Sequence, residues 1–149
     1  MAETRKFYSF LNVTDGADKV KNVTTVVTLS RFEMKDLEEG KKVLHCTAAI
    51  SNRTKVLSDA LGCEVVATKN ENDNENVWVD VSFWNALAER FQKFVGDREK
   101  VRVVLCGRLS VRKWNAADGT ERQRVQISAN DWFALPSPAA KQEEPEELY

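Results

Sequence analysis

The chain is short of the residues that most chemistry needs. Of its 149 residues one is histidine, three are cysteine and three are proline. A single histidine, His45, set in an apolar stretch, reads as structural rather than catalytic. No HExxH, P-loop or GxSxG pattern occurs, and the cysteine and histidine spacings do not make a zinc site. Asp80 lies between two tryptophans, but no second carboxylate stands at a spacing suited to acid–base work. It reads as a solvated or salt-bridged side chain. The expectation is a protein that is not an enzyme and uses neither metal nor cofactor.

The cysteines, Cys46, Cys63 and Cys106, are odd in number and lack a CxxC pair, which argues against a disulfide framework. They read as reduced, mostly buried thiols. No apolar run approaches the length of a membrane span, and "MAETRKFYSFLNVTDG" lacks the apolar stretch of a signal peptide. The expected location is therefore the cytoplasm, where the N-x-S/T patterns at Asn12, Asn22 and Asn52 carry no glycan.

What the chain does have is the make-up of one globular domain, 42% hydrophobic and 30% charged. A chain of this length buries roughly 70% of its unfolded surface. Charge is nearly balanced, 22 Lys and Arg against 23 Asp and Glu, but unevenly spread. Residues 98–126 hold eight basic residues and three acidic ones, whereas the last nine, "KQEEPEELY", hold four Glu and one Lys. A basic patch and an acidic tail result. All three prolines follow Phe133, in "ALPSPAAKQEEPEELY", which has no periodicity. The expected division is a folded domain over 1–135 and a disordered acidic tail over 136–149.

Alternation dominates the second half. In "VWVDVSFW", Val77, Val79, Val81 and Phe83 share one face, and Trp78, Asp80, Ser82 and Trp84 the other. The period changes at "NALAERFQKFVGD", where Leu87, Phe91, Phe94 and Val95 fall at helical spacing, with Asn85 as N-cap and Gly96 as stop. "EKVRVVLCGRLSVRKW" then places Val101, Val103, Leu105, Leu109 and Val111 on a core face. Arg102, Arg108, Arg112 and Trp114 fall on the other. Gly107 inside this strand predicts a bend or bulge of the kind a small closed barrel needs. Asp118-Gly119 supplies a hairpin turn, and "RQRVQISAN" returns with Val125, Ile127 and Ala129 inward and Arg122, Arg124 and Gln126 outward. Upstream, "NVTTVVTLSRFEM" and "KVLHCTAAIS" read as two strands joined by a charged turn. "RTKVLSDALG" is compatible with a short helix and "TKNENDNENV" with a polar loop.

Three of four tryptophans, Trp78, Trp84 and Trp114, thus fall on polar faces. Flat aromatic rings stack on nucleobases, and interleaved Arg and Lys neutralise phosphates. That combination suits a single strand, whose bases are free to stack. The alternative is a face that packs on protein, making the chain an assembly subunit with an aromatic interface. Trp132, in "DWFAL", reads instead as a cover for one end of the barrel. The terminal "EEPEELY", ending in Glu146, Glu147, Leu148 and Tyr149, has the chemistry of a docking peptide for a basic, apolar-floored pocket.

The order of these parts, a Trp-containing strand, a helix near "LAE", a "GRL…RKW" strand, a "DG" hairpin and a closing strand, resembles the bacterial and phage single-stranded DNA-binding protein family. The resemblance runs unbroken from Val77 to Trp132. It implies an all-β fold with one short helix, a five-stranded OB barrel. It implies stacking by Trp78, Trp84 and Trp114, with Arg108, Arg112 and Lys113 as matching basic positions to which the hairpin adds Arg122 and Arg124. The implied partners are single-stranded DNA, further copies of the chain as a dimer or tetramer, and replication, recombination and repair proteins docked on the acidic tip.

Overall fold

The computed structural model describes residues 8–69 and 74–135. The expected tail, with Glu146, Glu147, Leu148 and Tyr149, lies outside the described residues. The elements run β1 (Leu11–Asp15), β2 (Lys21–Asp36), β3 (Lys42–Ser51), α1 (Thr54–Leu61), β4 (Thr68–Lys69), β5 (Glu75–Trp84), α2 (Asn85–Val95), β6 (Lys100–Asn115) and β7 (Glu121–Ala134).

Five long strands close on themselves in the order β2-β3-β5-β7-β6, with β6 returning to pair β2. Every junction of this ring is antiparallel except β5 with β7. This is the expected OB barrel, with two short α-helices among the described residues rather than one. The compatible segment "RTKVLSDALG" does form α1, ended by Gly62 in the left-handed region, φ 71°. β1 pairs the first five residues of β2 and was not anticipated. β5 begins at Glu75, two residues before the alternation becomes apolar, and β7 runs one residue past Phe133.

Alternation built the barrel because each strand must bury one face. Val77, Val79, Val81 and Phe83 point inward and are almost wholly buried, as are Val101, Val103, Leu105, Leu109, Val125 and Ile127. Val111 departs from expectation: it is only half-buried, because the β6–β7 arms have risen beyond the barrel wall there. The ladder shifts register between Cys106 and Gly107, the bulge predicted from the glycine. A Cβ on Gly107 would lie 2.3 Å from the Ser128 carbonyl oxygen, so this close strand approach requires glycine.

α2 closes one end of the barrel with Ala88, Phe91 and Val95 buried. Phe91 stacks on Phe83 at 4.1 Å between ring centroids and meets the Trp132 edge at 5.0 Å. Trp132 covers the barrel end as expected. Asn85 does not cap the helix: no side-chain cap forms, and its backbone sits at φ 52°. Its Oδ1 instead accepts the Lys42 N–H at 3.0 Å, tying the start of α2 to the start of β3. Asparagine tolerates this left-handed geometry better than most residues.

Candidate nucleic-acid interface

The outer face of β5 carries Trp78, Asp80, Ser82 and Trp84 in sequence. Trp78 is 44% exposed and Trp84 42%, unusual for the largest apolar side chain. They stand six residues apart, about 20 Å along a strand. The β6–β7 hairpin continues this surface. Its register sets Arg112 opposite Arg124 and Trp114 opposite Arg122. The turn at its tip is the expected one: Gly119 takes φ 87°, its N–H bonds the Ala116 carbonyl, and Ala116 N–H bonds the Thr120 carbonyl. Asp118 accepts from the Thr120 hydroxyl and the Thr120 N–H, and these bonds hold its carboxyl below the usual aspartate range.

Two arginines directly opposed on one sheet face repel each other. Each finds a different relief. Arg124 Nη2 binds Asp80 Oδ1 at 2.8 Å, across the parallel β5–β7 junction. Asp80 is therefore the salt-bridged side chain, not a base. Arg112 lies over the Trp114 ring, 5.1 Å from its centroid, a cation–π contact that leaves the guanidinium edges open. Trp114 itself is 40% exposed. Arg122 has a solvent-exposed partner in Asp118 at 3.8 Å, a separation at which little is gained. Among the described residues Arg108, Arg112 and Lys113 have no ion pair.

The geometry brings some of the expected residues together and separates others. Trp78, Arg122 and Arg124 line one groove of about 460 Å³ between β5 and the hairpin. Arg108 lies four residues before Arg112 on the same outward side of β6, opposite Ser128 and Asn22. Lys113, opposite Gln123, is on the alternate side from Arg112 and Trp114. Trp84 sits at the far end of β5, opposite Val43. Trp78 also walls a second groove, of about 630 Å³, that holds Arg31, Phe32 and Lys100. Neither Arg31 nor the residues facing the hairpin groove from the α1–β4 connection, Val66 and Thr68, carry any periodic signal that would have marked them.

His45 Nδ1 is 3.2 Å from Ser82 Oγ, a structural contact between β3 and β5. Cys46 is buried, and burial, with a smaller push from the Asp80 charge, raises its thiol to about 12. Cys63 and Cys106 are only half-buried, so one of the three thiols is buried rather than most of them.

Comparison with known proteins bears on this arrangement. Residues 20–135, from the start of β2 to the end of β7, match the single-strand binding protein family. In three dimensions the chain is similar to a small single-stranded DNA-binding protein from Streptomyces coelicolor, with a TM-score of 0.53 over 76% of this chain and 93% of that one. At 16% identity that likeness is one of fold. None of the curated proteins matches the sequence. The family match covers the entire barrel and the hairpin with its tryptophans and arginines, and on that ground the chain belongs to the single-strand binding protein family.

Proposed function

We propose that the protein binds single-stranded DNA with little sequence preference, protecting it and presenting it to other enzymes. The observation that carries this is the hairpin: Trp114, exposed beneath Arg112 and opposite Arg122, offers a stacking surface between cations. Trp78 and Trp84 extend the stacking surface along β5, and Arg108, Arg112, Lys113, Arg122 and Arg124 take phosphates. A base on an aromatic face is worth roughly 1–3 kcal/mol whatever its identity, hence the lack of sequence preference. Titration of the purified protein with oligo(dT) tests the reading through tryptophan emission. Strong quenching that weakens with salt is expected; no quenching at low salt sinks the reading and favours an aromatic face that packs on protein.

One barrel covers only about 4–16 nucleotides, so we infer a homo-oligomer, a dimer or tetramer, for tight binding. A surface away from the tip of the hairpin supports it. Val26, Val104 and Phe133 lie in register across β2, β6 and β7, and Phe10 joins them through its carbonyl bond to Val26 N–H. Phe10 and Phe133 are more than half exposed. Val104 is ten residues from Trp114, about 33 Å of strand, so a second copy on this row leaves Trp114 free. Light scattering on the wild type and on Phe133→Glu decides: a monomeric wild type refutes the oligomer, and an unchanged oligomer in the variant refutes this surface.

The terminal Glu146, Glu147, Leu148 and Tyr149 we assign to docking replication, recombination and repair proteins in the cytoplasm, at the nucleoid. Four glutamates ahead of the apolar Leu148 and Tyr149 support this. Deleting "EELY" is expected to leave DNA affinity intact or raise it; a large loss of affinity contradicts the assignment.

A further inference from the structure

The parallel ladder between β5 and β7 is short, from Val79 paired with Val125 to Ser82 paired with Ser128. Both strands continue on the hairpin side, β5 back to Glu75 and β7 back to Glu121, without pairing each other. Separated strands leave amides and carbonyls that need partners. On the β5 side β4 supplies them, Thr68 pairing Asn76 and Lys69 pairing Glu75. On the β7 side the link is made by a side chain of β7 itself, which partners the backbone of the residues ahead of β4. Gln123 Oε1 accepts the Val66 N–H at 3.1 Å, and Gln123 Nε2 donates to the Glu64 carbonyl at 2.9 Å.

A primary amide has an acceptor and donors in one plane, so Gln123 makes the two bonds that a peptide group of a neighbouring strand would make. Residues 64–69 are thereby held between β5 and β7 as an inserted edge. Val65 anchors the insert, 3% exposed in the core, and Val66 next to it is 68% exposed. Val66 and Thr68 line the same groove as Trp78, Arg122 and Arg124. Its volume of about 460 Å³ falls in the span of about 300–1,000 Å³ typical of sites for small ligands.

We propose that residues 64–69 form the second wall of a base-binding slot whose first wall is Trp78, and that Gln123 is the positioning residue that sets the width of the slot. This rests on the single-stranded DNA reading above. A base stacked on the indole meets Val66 and Thr68 on its other side, while Arg122 and Arg124 hold the flanking phosphates. Gln123 neutralises no phosphate, so its contribution enters through stacking and leaves counterion release unchanged.

The test uses the full chain, oligo(dT) and a salt series, with Gln123→Met, which keeps the side-chain length and loses both bonds, and Val66→Ala. Each is expected to weaken binding about fivefold and to reduce the maximal tryptophan quench, with the wild-type salt slope retained. The double variant is expected to be no weaker than the weaker single variant, since both act on one wall. Wild-type affinity and quench in Val66→Ala, whose exposed side chain is dispensable for folding, overturn the slot. Wild-type affinity in a less heat-stable Gln123→Met overturns the positioning role. A salt slope lowered by about 0.7 in either variant overturns the stacking account, since it means a lost phosphate contact. Failure of the DNA-binding reading itself is separate: there the unaltered protein does not bind.

Discussion

Trp114 and Trp132 stand on the two arms of one hairpin and do opposite things. Trp132, near the foot of β7, lies 5.0 Å from Phe91 and 4.7 Å from Phe94, inside the cluster where α2 closes the barrel. Trp114, near the tip of β6, has solvent on one side and Arg112 on the other. The difference lies in what the sheet turns toward each ring. At the foot an apolar helix face covers the strand; at the tip the arms project past the barrel, and Arg112 and Arg122 flank the ring. The residue type is the same, so its role comes from the neighbours.

The contrast breaks most visibly at the foot. Trp132→Ala is expected to cost about 3–5 kcal/mol of stability in urea unfolding, while DNA affinity per folded molecule stays near wild type. Trp132→Phe sharpens the point. Among the described residues the indole Nε1 is buried without a hydrogen-bond partner, so phenylalanine keeps much of the ring contact and removes an unsatisfied donor. Its loss of stability should be a small fraction of that of the alanine variant; an equal loss would mean that the indole N–H matters.

At the tip the outcome reverses. Trp114→Ala is expected to change stability by no more than about 0.5 kcal/mol. Its affinity for oligo(dT) should fall by about 1–3 kcal/mol, the worth of one stacked base. A stability loss like that of Trp132→Ala would place Trp114 in a packing role and remove the main support for the DNA face.

The two tryptophans also mark how far the sequence could be read. Period-two alternation placed Trp78, Trp84 and Trp114 on the outer face and the valines opposite them inside, because one buried face dictates the pattern. The same logic missed β1, five residues of "LNVTD" held by pairing to β2 rather than by an apolar face of their own. It could not foresee that Arg124 meets Asp80, since the parallel β5–β7 register joins residues more than forty positions apart. Gln123 was beyond it for a similar reason: a lone glutamine in a strand carries no sign that its amide will stand in for a backbone rung. Asn85 was misread because asparagine is as good in a left-handed turn as at a helix cap, and only the position of β3 decides between them.

Charge pairing divides the hairpin arginines in a way that salt can read. Among the described residues Arg112 has no carboxylate partner, and Arg124 has Asp80. Arg112→Ala should lower the log–log salt slope of DNA binding by about 0.7, one phosphate. Asp80→Asn should act in the other direction, raising affinity at low salt by releasing Arg124 to the DNA. If Asp80→Asn instead weakens binding, the ion pair serves to orient Arg124, and the stabilising half of the pair is its geometry rather than its charge.

The smallest effect is expected at the turn. Asp118 is exposed, and the Thr120 hydroxyl and then the Thr120 N–H hold its carboxyl below the ordinary value of 3.8. The unfolded chain therefore takes up this proton at higher pH than the folded one. The stability that Asp118 lends the hairpin is present above the ordinary aspartate range and is lost as pH falls through the lower folded value. Asp118→Asn keeps an oxygen to accept from Thr120 and removes the charge, so this contribution to the acid dependence should vanish while stability at neutral pH hardly moves. The same substitution takes a negative charge from beside Arg122, and DNA affinity should rise slightly at low salt and not at all at high salt. A fall in affinity would mean that the Asp118 carboxylate holds Arg122 in its binding position, and that the tip, like the Asp80–Arg124 pair beneath it, is organised by geometry before charge.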